Sequence, residues 1–98
     1  MKARLWQIAY GPEWHQSVST ADPGDGYFED DMEACHDALG LAPFTYSHQF
    51  LDRDDVRIFT TSDELAGYRV VVFLRIEREV TRVTLEWVML EPLEPDLP

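Results

Sequence analysis

Cysteine is almost missing from this chain of 98 residues: Cys35 is the only one, so no disulfide within the chain can staple the fold, and a reducing, cytoplasmic setting is expected. As a single cysteine among the apolar positions of a helix, Cys35 reads as a small buried hydrophobe and not as a nucleophile. Long apolar runs are missing too. The longest, Val70 to Leu74, is far below the roughly 20 residues a membrane helix needs, and no amino-terminal stretch resembles a signal peptide. Basic side chains are scarce: eight against nineteen acidic ones, a formal net charge of −11. Such a chain repels phosphate backbones at long range, which makes nucleic acid a doubtful partner and a basic protein surface a better one. An acidic surface also simply keeps a small protein soluble. No glycine-rich loop follows a strand in the phosphate-cradling pattern, and no serine sits in a nucleophile elbow.

What is present is enough to build one core. Hydrophobic residues make up 45% and aromatics 12% of the chain, so a single domain over residues 1–90 folds without staples. Residues 91–98, with three prolines and three carboxylates, read as an acidic, flexible tail.

The periodicities predict an α+β fold. Ala3 to Tyr10 alternates and stops at Gly11-Pro12, a first strand ended by a turn. Pro12 then opens a short helix to about Ser19. Thr20 to Gly26 is a loop whose Asp25 is placed to cap the next helix. In that helix Phe28, Met32, Cys35 and Leu39 form one apolar stripe, with Gly40 as the stop and Pro43 forbidding continuation. Val56–Thr61, Tyr68–Ile76 and Val80–Leu90 read as three consecutive strands, an antiparallel meander in one sheet with the helices on one face.

The last hairpin carries its own register. With Arg78 and Glu79 as the loop, Ile76 faces Thr81, Leu74 faces Val83, Val72 faces Leu85, Val70 faces Trp87 and Tyr68 faces Met89, a nearly all-apolar face. The opposite face then holds Arg69, Phe73, Arg75, Arg82 and Glu86, with Arg75 directly across from Arg82. Like charges set opposite each other are unfavourable unless an anion or carboxylate intervenes, and Glu77 or Glu86 can serve. These five residues are the candidate binding surface. No cofactor or metal site is expected: the acids from Asp22 to Glu33 lack calcium-loop spacing, and His36-Asp37 has no second His-Asp pair.

The element order resembles that of the RelE/ParE superfamily of small bacterial toxins, which includes ribosome-dependent ribonucleases and gyrase inhibitors. The carriers are Ala9-Tyr-Gly-Pro-Glu-Trp14, similar to the family's strand end with Pro-Glu-aromatic opening a helix, and Gly67-Tyr-Arg-Val-Val-Val72, similar to its Tyr-Arg-Val strand. Ala42-Pro43-Phe44 and Arg57-Ile-Phe59 fall where the family has a Pro-containing helix exit and an aromatic-flanked strand. The resemblance implies one active position, Arg69, matching the strand arginine that the ribonucleases use on the scissile phosphate. The family's closing Gly-His/Lys-Arg segment is replaced by Trp87-Val-Met-Leu-Glu-Pro92, and Asp52, Asp54 and Asp55 stand where its catalytic lysines lie. The expected function is therefore a small acidic binding or regulatory module on this scaffold without catalysis. The alternatives are the toxin of a toxin–antitoxin system and an acidic immunity or nucleic-acid-mimic protein.

Overall fold

The computed structural model describes residues 5–53, 55–63 and 66–93. Strand β1 (Gln7–Tyr10) leads to helices α1 (Trp14–Ala21), α2 (Tyr27–Leu41) and α3 (Pro43–Tyr46), then strands β2 (His48–Gln49), β3 (Arg57–Asp63), β4 (Tyr68–Glu77) and β5 (Arg82–Pro92). The strands form one sheet in the order β1-β5-β4-β3-β2. The three expected strands are its antiparallel centre, β3-β4-β5. Two edges complete it: β1 returns to pair in parallel with β5, and the two-residue β2 borders β3. The fold is thus α+β as expected, with a third helix and a fifth strand that periodicity could not reveal, because four and two residues are too short to show a period.

Helix α1 starts two residues after Pro12. Helix α2 buries Phe28, Cys35 and Leu39 with Met32 packed beside them, which is the stripe expected from spacings of four, three and four. Asp25 accepts from the backbone N–H groups of Tyr27 (3.0 Å) and Phe28 (3.2 Å), and Tyr68 Oη donates to the same carboxylate at 3.1 Å. One loop aspartate thereby caps the helix and ties it to β4. Gly40 does not stop α2, which runs on to Leu41. Its buried carbonyl instead receives the N–H groups of both Leu5 and Trp6 at 2.9 Å, so the chain approaching β1 docks on the end of the helix. Pro43 is what ends α2, and it opens α3 from its first position.

On the helix-covered face, Val70, Val72, Leu74, Val83 and Leu85 are fully buried, and Phe28, Cys35 and Leu39 belong to the same core. The hairpin register differs from the expected one in two ways. The turn takes four residues, a 3-10 turn Arg78–Val80 followed by Thr81 in the left-handed region (φ 46°). Ile76 consequently faces Val83 and Leu74 faces Leu85, a slip of two that leaves Ile76, Leu74, Val83 and Leu85 on their predicted face. Farther along, Glu86 is an extra residue: Leu74 pairs with Leu85, but Phe73 pairs with Trp87. This bulge reverses the alternation of β5. Val88 turns inward (1% exposed), while Trp87 and Met89, both expected on the apolar face with Val83 and Leu85, face outward at 38% and 41%. Arg75 accordingly faces Thr84, and Arg82 faces Glu77, so the predicted opposition of Arg75 and Arg82 does not occur.

Two contacts hold the bulge. Gly11 leaves room for Glu86, whose Oε2 would lie 2.5 Å from a Cβ at that position. The Val88 N–H, left without a strand partner beyond β1, donates to the buried Ser17 Oγ at 3.1 Å, and that hydroxyl donates onward to the Trp14 carbonyl at 2.7 Å. Helix α1 thus occupies the edge of β5 that β1 leaves open, a common way of shielding a sheet edge. Strand β5 continues through Glu91 and Pro92, two residues into the expected tail. The rest of that tail lies outside the described residues.

Candidate functional site

The helix-free face of the sheet carries all five sequence-predicted binding residues. Arg69, Phe73 and Arg75 project from alternate positions of β4, because a strand sends every second side chain to the same side. Arg82 and Glu86 come from β5. The arginines do not converge on a common point; each meets its own carboxylate. Arg69 Nη1 lies 3.5 Å from Glu91 Oε1, Arg75 Nε donates to Glu86 Oε1, and Arg82 Nη2 donates to Glu77 Oε2 at 2.6 Å. Thr84 Oγ1 adds a long contact of 3.5 Å to Glu77. The hydrogen bond from Arg82, then the positive charges of Arg82 and Arg75, hold the Glu77 carboxyl below its ordinary value. In the neighbouring loop Arg53 does the same for Asp55, chiefly through its hydrogen bond.

Between the ion pairs the face is apolar. Phe73 is half-buried under Phe50, ring centroids 5.3 Å apart and nearly perpendicular, an edge-to-face contact that aromatic quadrupoles favour. Trp87 stands across from Phe73. The surface is therefore a row of neutralised charge pairs around aromatic and methionine side chains, a composition closer to a protein-recognition surface than to a phosphate-binding one.

Other candidates resolve into structural roles. Burial pushes the Cys35 thiol up to about 12, so it stays protonated and unreactive at neutral pH. His36 uses Nδ1 toward the Met32 carbonyl (2.7 Å) and Nε2 toward Tyr10 Oη (2.9 Å). Assigning the proton to Nδ1 makes the imidazole an acceptor for the tyrosine hydroxyl. Tyr10 also packs against Trp14 and His15. Among the described residues no group of three or more His, Cys, Asp or Glu is placed to hold a metal ion, and no helix is long and apolar enough to cross a membrane.

Sequence reasoning missed a second concavity, on the helix-covered side at the turn end of the hairpin. Its floor is Phe44 of α3. Arg57 reaches past the ring (guanidinium carbon 5.2 Å from the centroid) to donate to Ser47 Oγ and to the carbonyls of Ser47 and Phe44. Arg78 lies over the ring at 3.9 Å. Phe44 and Arg57 were visible only as matches to a strand-helix pattern. Nothing in their spacing announces that two arginines 21 residues apart share one ring.

No family model matches the sequence, and no curated protein matches it. Solved structures do. The chain is similar to the toxin–antitoxin complex RelBE2 of Mycobacterium tuberculosis (TM-score 0.66, 16% identity, 86% of this chain and 95% of that one). It is also similar to the isolated E. coli RelE toxin (TM-score 0.60, 12% identity, 93% and 87%) and to the RelE–RelB complex of Pyrococcus horikoshii (TM-score 0.52, 11% identity, 94% and 99%). Near-complete coverage in both directions, together with the five-stranded order and the helix-covered face, establishes that this chain has the RelE-like fold.

Proposed function

We propose that this chain is a protein-binding component of a toxin–antitoxin type pair, which uses its RelE-like sheet for recognition and does not cleave RNA. The observation that carries this reading is the pairing of Arg69, Arg75 and Arg82 with Glu91, Glu86 and Glu77. Phosphodiester cleavage needs uncompensated positive charge aimed where negative charge develops, and on this face that charge is already spent. A protein partner agrees with two of the similar structures, which are toxin–antitoxin complexes.

A ribonuclease toxin is the second reading, favoured by one detail: Arg69 has the longest of the three ion pairs, at 3.5 Å, and its side chain is 40% exposed, so it is the cation most easily released to a phosphate. Co-expression with the product of the adjacent reading frame, followed by co-purification and an assay on ribosome-bound messenger, separates the two. A stable complex without cleavage is the expected result. Messenger cleavage or growth arrest that vanishes in Arg69→Ala would overturn it in favour of the ribonuclease.

A further inference from the structure

From the cleft between α3 and the β4–β5 turn we infer a second binding site, one that takes a small monocarboxylate attached to a flat apolar body. The cleft has a volume of about 620 Å³, within the range of small-ligand sites. Arg57 and Ile76 share the helix side of the sheet with Leu74, so the cleft opens on the face opposite to Arg69 and Arg75. The site is independent of the toxin–antitoxin reading.

Arg78 is the residue that distinguishes this cleft. Among the described residues, Arg53, Arg69, Arg75 and Arg82 each pair with a carboxylate, and Arg57 donates to three oxygens of α3 and the residue after it. The Arg78 side chain has a ring contact and, among the described residues, no oxygen partner, although Glu77 and Glu79 flank it and the chain has more than twice as many acids as bases. The guanidinium carbon lies over the Phe44 ring while the residue itself is exposed, so its N–H groups are accessible to a ligand in the cleft. A planar fork of this kind accepts a carboxylate through two parallel hydrogen bonds. Phe44, Ile76 and Val80 supply the apolar walls for the rest of the ligand.

Charge sets how much anion the cleft tolerates. Arg57 and Arg78 contribute two positive charges and Glu79 one negative, while Glu77 is neutralised by Arg82. One net positive charge suits one carboxylate. It disfavours a phosphate dianion or an RNA strand, which would bring further negative charge beside Glu79.

The test is an NMR titration of the full chain that follows the Nε–H signals of Arg57 and Arg78, with benzoate as the probe, benzamide as its uncharged isostere and inorganic phosphate as the competing anion. Benzoate is expected to give saturable shifts at both arginines with a Kd of roughly millimolar order, with no saturation by benzamide and weaker binding of phosphate. Arg78→Ala should weaken benzoate binding at least tenfold, and Glu79→Gln should strengthen it severalfold. Both positions are exposed in the turn, so neither change threatens folding. The inference fails if benzoate does not saturate, if Arg78→Ala binds it equally well, or if phosphate binds more tightly than benzoate.

Discussion

The two faces of the sheet use the same strands for opposite ends. On one, Val70, Val72, Leu74, Val83 and Leu85 lose all contact with water beneath α2. On the other, Arg69, Arg75 and Arg82 keep between 40% and 51% of their side-chain surface while bonded to carboxylates. Burial of apolar area contributes about 25 cal/mol per Å², whereas exposed ion pairs contribute about 0–1 kcal/mol. The covered face therefore holds the fold and the open face is free to change. Substituting the charges of the open face costs the fold little.

That contrast can be broken by experiment, and the largest effect is expected at the bulge. Val88→Asp places a charge at a site that is 1% exposed and should prevent folding, whereas Met89→Asp, one residue on and 41% exposed, should cost less than about 1 kcal/mol. Circular dichroism and thermal melts of the pair decide the matter. The reverse ranking would mean that β5 alternates without interruption.

Leu85→Ala, at a fully buried position, should lose about 2–4 kcal/mol in denaturant melts. A loss below about 1 kcal/mol would remove Leu85 from the core.

Ser17→Ala tests the join between α1 and the sheet. It strands the buried Val88 N–H and should cost about 1–3 kcal/mol, with Ser17→Thr recovering part of that loss. Equal stability of all three proteins would show that the hydroxyl does not hold the edge.

On the open face, a double-mutant cycle on Arg75 and Glu86 should give a coupling of about 0.2–1 kcal/mol that shrinks with added salt. A coupling above about 2 kcal/mol would place these charges among the fold's main supports.

The smallest effect concerns pH. The folded-state pKa of Glu77 lies below its ordinary value of 4.5, so its ion pair adds stability at pH values above 4.5 and loses it as pH falls through the depressed folded value. Glu77→Gln should flatten that acid limb and leave stability at pH 7 to 8 slightly lower. An unchanged acid limb would mean that Arg82 does not stabilise the carboxylate in solution.

Side-chain periodicity by itself determined the α2 stripe, the three central strands and the faces of Tyr68–Ile76 and of residues 82–85, because burial must repeat with the period of the backbone. It also identified Asp25 as a cap, which is a local hydrogen-bonding event. The same reasoning placed Trp87 and Met89 on the apolar face, since a bulge leaves no mark in a strand that alternates apolar residues on both sides. Only the tertiary structure decided that point: Gly11 makes room for Glu86, and Ser17 holds the next free N–H, and both come from the far end of the chain. The partners of the open-face arginines and the stacking of Arg78 on Phe44 were likewise illegible. Ion pairs and ring contacts between exposed, long side chains depend on distances across strands and helices, and residue spacing does not encode them.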